Sequence, residues 1–282
     1  MEPEITPGGA VVTGAGRGLG KEIARLLVER GHFVLVTDID EATAQATAAE
    51  LGERAVARTL DVRDHAAVVA ACEDVVARAG RLDVWVNNAG VIATGPAWEQ
   101  DEAARRLMIE VNALGTINGT IAAIGAMSRQ DGAGGGHIVN IVSLAGLSAV
   151  AGEAVYAASK HAAIGFSLST MADLRAAGIK DIDISCICPD GIWTPMLYDK
   201  LDDPAAALSF SGNLLQPADV VDAVRKVLDR PRLVTAVPRW RGVLARVGDA
   251  IPAFGLAAVP LVIKQGRRTQ RKLVKAGGPT RP

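Results

Sequence analysis

Tyr156 and Lys160 stand four residues apart in Tyr156-Ala157-Ala158-Ser159-Lys160. In a helix, positions i and i+4 share a face, so a phenol and an ammonium can lie side by side. A free tyrosine titrates near pH 10 and is a poor base at neutrality. A neighbouring cation stabilises the phenolate. Bringing that pKa to neutrality takes about 4 kcal/mol of differential interaction, and the group then suits proton transfer best. Ser143 precedes the tyrosine by 13 residues. Its hydroxyl can donate to a carbonyl oxygen, or hold an alcohol oxygen, beside the phenol. Each feature alone has a plainer reading: a surface Tyr–Lys pair, and a turn serine at a strand end.

A second constellation lies near the N-terminus: Thr13-Gly14-Ala15-Gly16-Arg17-Gly18-Leu19-Gly20. Glycines let the backbone turn tightly and approach a phosphate, and a following helix points its unpaired N–H groups at it. A tight turn without a ligand is the alternative. Asp38 lies 24 residues after Gly14 and can accept from the ribose hydroxyls of an adenosine. Its charge repels a 2′-phosphate and favours NAD. Arg17 pulls toward NADP, the lesser expectation. Asp38 can also cap the next helix, although Asp40 is the better candidate.

Both constellations need a frame. Short apolar runs read as strands: Ala10–Thr13, Phe33–Thr37, Ala55–Leu60, Leu82–Val86, Ile138–Val142, Ile182–Cys188 and Leu233–Val237. Helical patterns alternate with them over Gly18–Arg30, Ala42–Leu51, Ala66–Ala79, a stretch through Met127, and Tyr156–Ala177. Gly132 to Gly136 reads as a flexible loop. Continuous apolar strands alternating with helices predict an α/β fold: a doubly wound, Rossmann-type parallel sheet of about seven strands. Ligands bind such sheets at the carboxyl ends of the strands, where the polar and glycine-rich clusters fall. At 282 residues one domain is the simplest reading, with a catalytic body over 1–238 and a basic, apolar extension over 239–282.

Composition is that of an ordinary soluble protein, with a net charge of −1. Cys72, Cys186 and Cys188 suggest neither a zinc site nor a disulfide framework, so a reducing compartment, the cytoplasm, is expected. Residues 1–8 lack the basic and apolar pattern of a signal peptide. The apolar run Ile251 to Ile263 spans 13 residues. A spanning helix needs ~20. No metal constellation is visible.

Gly-x-x-x-Gly-x-Gly over Gly14, Gly18 and Gly20 resembles the short-chain dehydrogenase/reductase family. Ser143, Tyr156 and Lys160 match that family's catalytic set, and Asn112 matches its asparagine. The resemblance implies that Asn112 holds a water linking Lys160 to solvent, and that Lys160 binds the nicotinamide ribose. Asn87-Asn88-Ala89-Gly90 also matches: Asn88 would buttress the sheet, and Ala89-Gly90 would let backbone approach the cofactor. Asp61-Val62 looks like the adenine contact. The motifs run from Thr13 to Met196, about two thirds of the chain. One departure stands out in Pro189-Asp190-Gly191-Ile192-Trp193-Thr194-Pro195-Met196, where Asp190 takes the usual glycine position. Pro189, Ile192 and Thr194 still fit as cofactor contacts. Asp190 then faces the substrate or caps a turn.

The expected activity is hydride transfer between NAD and a secondary alcohol or its ketone. NADPH-dependent carbonyl reduction and a non-catalytic dinucleotide sensor are the alternatives. Leu144, Ala145, Asp190, Gly191, Trp193, Met196 and Leu197 are candidates for the substrate pocket. A lid over 193–213 is rich in large apolar residues. It suggests a lipophilic or ring-containing substrate, or simply packing of the lid. A homodimer or homotetramer is expected. From Arg232 onward there are eleven Lys/Arg and one acid, Asp249. That tail has three readings: a peripheral membrane contact, an arm for an acidic partner, or a solvated basic helix. Nucleic acid is not expected.

Overall fold

The structure is a computed structural model that describes residues 8–130 and 135–277. The expected loop at 132–136 lies mostly outside the described residues, as do residues 1–7 and 278–282. Seven parallel strands form one sheet in the order β3-β2-β1-β4-β5-β6-β7. They are β1 (Gly9–Thr13), β2 (Phe33–Asp38), β3 (Ala55–Thr59), β4 (Leu82–Asn87), β5 (Gly136–Ile141), β6 (Ile182–Pro189) and β7 (Val234–Val237). The order reverses between β1 and β4, which opens a crevice at the carboxyl edge. The doubly wound expectation holds, and each strand lies within two residues of its predicted span.

Alternation along the strands builds a core on each face. Ala10, Val12, Val34 and Val36 turn to one side, against α1 (Gly18–Glu29) and α8 (Pro217–Asp229). Val11, Leu35, Trp85 and Ile138 turn to the other, against α3 (His65–Ala79), α5 (Gly115–Met127) and α6 (Ala154–Ala176). The α1 stripe is Leu19, Ile23, Leu26 and Leu27, all buried. Asp40, as expected, caps α2 (Glu41–Leu51) by accepting from the Thr43 N–H at 3.2 Å. Asp64 does the same for α3 through Ala67.

Helix α4 (Glu102–Ile109) runs into α5 through a π-helical turn, Glu110–Leu114. The whole Glu102–Met127 helix is long and apolar enough to cross a membrane, but half of its most apolar window is buried in the protein. Its inner face is the core packing just described.

The extension does not stand apart. It forms α9 (Arg239–Ala250) and α10 (Pro252–Lys275). Helix α10 seats on the lid, which is α7 (Pro195–Tyr198) followed by a 3-10 helix, Pro204–Phe210. Gln265 Nε2 donates to the Ser211 carbonyl at 2.8 Å, and Gln270 Nε2 to the Asp203 carbonyl at 2.7 Å. Leu273 packs on Leu197, Leu201, Ala206 and Phe210. Gly266 meets the Ala207 carbonyl so closely that any Cβ there would overlap the oxygen. Gly266→Ala is therefore expected to cost about 1–3 kcal/mol of overpacking strain. It should also speed proteolysis within α10, and unchanged urea stability and cleavage would contradict the seating.

Candidate active site

One cavity of about 1150 Å³ opens along the carboxyl edge of the sheet and runs beneath α9 and α10. Gly14, Arg17, Gly18, Leu19, Gly20 and Asp38 line one end, with Asp61 and Val62 beside them. Asn88, Ala89 and Gly90 line the middle. Ser143, Leu144, Ala145, Tyr156 and Lys160 line the far wall, opposite Pro189, Asp190, Gly191, Ile192, Thr194, Met196 and Leu197. Asn112 and Trp193, both expected at the site, are not on its wall.

The glycine turn is fixed from both neighbouring strands. Gly14 adopts φ +62°, a left-handed conformation that favours glycine. Asn88 Nδ2 donates to the Thr13 and Gly14 carbonyls at 2.9 Å each, tying the end of β4 to the end of β1. Thr13 Oγ1 accepts from the Asn88 and Ala89 N–H groups. Asp38 Oδ2 accepts from the Gly16 N–H at 3.0 Å, and Oδ1 from the Asp40 N–H at 3.1 Å. Asp38 thus braces the turn from β2. Arg17 is exposed at the rim. Asp61 is held by Arg63, whose guanidinium keeps its carboxyl below the usual range. Asn118 donates to the Val62 carbonyl at 3.0 Å, a support for the loop after β3 that the sequence reading missed.

Helix α6 brings Tyr156 and Lys160 to the cavity wall. Tyr156 and Lys160 are both buried, with Lys160 Nζ 5.7 Å from the phenol ring centre. Nζ donates to the Ile141 carbonyl at 3.2 Å, which fixes the lysine to the end of β5. Burial lowers the Lys160 pKa to about 8, with the Cys188 thiol opposing. The Tyr156 pKa moves upward, against the direction expected from the lysine pairing. Burial of the phenol is the main cause, the Glu153 charge adds to it, and the Ser143 hydroxyl opposes it. The protein's own groups therefore hold the phenol protonated. Ser143 Oγ accepts from the Ala145 N–H at 3.1 Å, so it caps the turn and keeps its proton for a cavity group.

Asn112 sits in the π-helical turn and is fully buried. Its Oδ1 accepts from the Val91 N–H at 2.8 Å. Its Nδ2 donates to the Val91 carbonyl at 2.9 Å and to Ser159 Oγ at 3.0 Å. Both amide hydrogens are committed, so the side chain positions α6 on the loop after β4 instead of lining the cavity. Trp193 is likewise corrected. It packs edge-on to Tyr198, ring centres 5.9 Å apart, and joins the lid cluster around Leu197 and Phe210. The lid's own apolar residues drew it out of the pocket.

Asp190 lies on the cavity wall and has a further task besides the two expected. Its Oδ2 accepts from Arg241 Nε of α9 at 2.8 Å, and its Oδ1 from the Gly191 N–H at 3.0 Å. Arg241 also donates to Ser211 Oγ at 3.1 Å. The displaced glycine has a use as well. A Cβ at Gly191 would overlap the Ser209 carbonyl, so only glycine lets the lid approach. Arg241 was missed because the tail gave no sequence link to the strand ends.

Glu153 was also missed, although an acid three residues before Tyr156 shares its helix face. It is 2% exposed and lines the cavity. Its Oε1 accepts from Ser209 Oγ of the lid at 2.5 Å. Burial raises its pKa from the ordinary 4.5 to about 7, the Ser209 hydrogen bond opposing and the Asp203 and Asp190 charges adding.

A crevice of this kind, with a strand-end serine and a buried Tyr–Lys helix turn, defines a dinucleotide-dependent oxidoreductase. A profile of the short chain dehydrogenase family matches residues 9–205. Rat (Rattus norvegicus) 15-hydroxyprostaglandin dehydrogenase (NAD(+)) is 32% identical over 269 residues, 88% of this chain and 97% of that one. "Probable oxidoreductase EphD" of Mycobacterium tuberculosis is 39% identical over 278 residues, 93% of this chain. The chain spans 44% of that longer protein. A short chain dehydrogenase/reductase from Burkholderia phymatum, solved in complex with NAD, superposes with a TM-score of 0.73 at 25% identity and covers 98% of both chains. The chain belongs to the short chain dehydrogenase family and is an oxidoreductase.

The Glu153 shift has a measurable sign. Between pH 4.5 and about 7 the folded protein keeps a proton that the unfolded chain releases. Stability should therefore fall as pH rises through that window. Glu153→Gln removes this loss. The variant should gain on the order of 2 kcal/mol on the wild type at pH 8 relative to pH 5. Denaturant melts at the two pH values check it, and parallel pH dependences would contradict the buried carboxyl.

Proposed function

We propose that the protein transfers a hydride between NAD and a secondary alcohol or its ketone. The carrying observation is one continuous cavity with the braced glycine turn and Asp38 at one end and Ser143, Tyr156 and Lys160 at the other. The cradle fits a dinucleotide. A Cβ at Gly90 would come within 3.3 Å of Asn112 Oδ1, so glycine lets this stretch of cavity wall sit close against Asn112. The N-terminus of α1 offers its N–H groups to a phosphate. Asp38 accepts from ribose hydroxyls and repels a 2′-phosphate. The rat relative carries NAD(+) in its name and the Burkholderia structure holds NAD, which supports the same choice.

NAD, when bound, accepts or returns the hydride. The chain's residues orient the substrate and move its proton. Ser143 donates to the substrate oxygen. Tyr156, held protonated by burial, gives its proton to a ketone oxygen, and as phenolate takes it from an alcohol. Lys160 lies beside the phenol and favours the phenolate as charge develops. Asn112 keeps this helix turn in register through Ser159. Leu144, Leu197, Leu208, Val259 and Val262 give the substrate end apolar walls, which favours a lipophilic alcohol.

The enzyme works as a homo-oligomer in the cytoplasm. Exposed Leu107, Ile109, Leu114 and Ile121 along α4 and α5 support the first, and three buried free cysteines the second.

Arg17 at the rim favours a second reading, NADP. Initial rates on a panel of secondary alcohols, read as NADH or NADPH absorbance, decide between them. The wild type should prefer NAD+ by about tenfold or more, and Asp38→Ala should narrow that to about threefold, a loss near 0.7 kcal/mol. A preference for NADP+ overturns the cofactor assignment, and no turnover on any alcohol or ketone overturns the reaction class.

A further inference from the structure

The two tail helices present an apolar outer surface around the cavity mouth. On α9 and its junction with α10, Trp240, Val243, Leu244, Val247 and Ile251 are exposed at i, i+3, i+4, i+7 and i+11, one face of a helix. On α10, Phe254, Leu256 and Leu261 are exposed at 63%, 65% and 71%. A run of solvent-facing apolar side chains on adjoining helices is what a surface keeps for a partner.

Three of these side chains do double duty. Leu244, Phe254 and Leu256 face outward and also line the cavity. The apolar exterior therefore continues into the cavity, with Arg241 and Asp249 of α9 also on the wall.

Charge selects the occupant. Residues 239–277 hold nine Lys/Arg and one acid, Asp249. Arg239 and Arg246 lie along one side of the apolar stripe of α9, and Lys264, Arg267 and Arg268 follow that of α10, all exposed. A second copy meeting this face about a two-fold axis would oppose base to base. An anionic bilayer meets both features, taking apolar side chains into its boundary and bases against its headgroups. Trp240, with Arg241 5.7 Å from its ring centre, suits that interface.

We propose that α9 and α10 dock on an anionic lipid surface and that the lipophilic substrate passes from the bilayer directly into the cavity. The route rests on the oxidoreductase reading, whereas the docking does not. Asp190–Arg241 and the Gln265 and Gln270 hydrogen bonds hold the helices over the mouth while they dock.

The test is flotation of the full chain on sucrose gradients with vesicles of neutral phosphatidylcholine, or of phosphatidylcholine with 30% phosphatidylserine. The wild type should float with the anionic vesicles, and about tenfold less with neutral vesicles or at high salt. Trp240→Ser/Val243→Ser/Leu261→Ser, none of which lines the cavity, should lose flotation while circular dichroism and turnover of a water-soluble alcohol stay unchanged. If that triple variant misfolds, Arg267→Glu/Arg268→Glu makes the same demand on charge alone. A wild type that stays at the bottom, or floats equally with neutral vesicles, overturns the proposal. So does a triple variant that turns an oligomer into monomers, since the face would then join copies of the chain. Flotation reads no turnover. A protein that floats but oxidises nothing sinks the oxidoreductase reading and the route with it, and leaves the docking standing.

Discussion

The N-cap and first two turns of α6 bury three titratable side chains, Glu153, Tyr156 and Lys160, and the rest of the site is arranged around that cost. Taking such groups out of water disfavours their charged forms, and each pKa moves accordingly: two upward and one downward. These turns hold because each neighbour supplies a partner. The end of β5 gives Lys160 its carbonyl, the lid gives Glu153 a hydroxyl, and Asn112 grips Ser159 between the two ends. A phenol protonated at rest and close to an ammonium is what a proton-transferring group needs, because added positive charge in the cavity then lowers its pKa.

The tail closes the same site from above. Asp190, where a glycine is usual for the family, would be a costly buried charge without Arg241 from α9. The pair joins the end of β6 to the tail, and Arg241 reaches on to Ser211 just past the lid. Gly191 then admits the lid backbone that Asp190's neighbour position would otherwise block. Departure and compensation are separated by 51 residues and meet at one ion pair. The tail is thus part of the pocket's construction, and its outer face is free for a partner.

The sheet was legible because its strands are buried on both faces and read as continuous apolar runs. The turn after β1 was legible because its glycine spacing is local in the chain. Asn112 was legible only through family resemblance, and the geometry gave it a bracing part. What escaped was long-range. Nothing near Asp190 announces Arg241, and nothing near Glu153 announces Ser209. Trp193 was placed in the pocket by its position after the sixth strand, but a lid has its own core to fill. Helix α8 escaped for a different reason. Its reciprocal cap between Gln216 and Asp219, ahead of Val220, Val224 and Val227, was readable and was passed over.

Proton transfer by Tyr156 is the claim on which all of this converges. Tyr156→Phe removes the phenol oxygen and leaves the ring that packs beside Ala145 and Ala157. Turnover of the best alcohol should fall by about 10²–10⁴-fold. Binding of NADH, followed by its fluorescence, should stay within about threefold of the wild type, a change below 1 kcal/mol. A variant that binds NADH and still turns over at the wild-type rate would contradict the account.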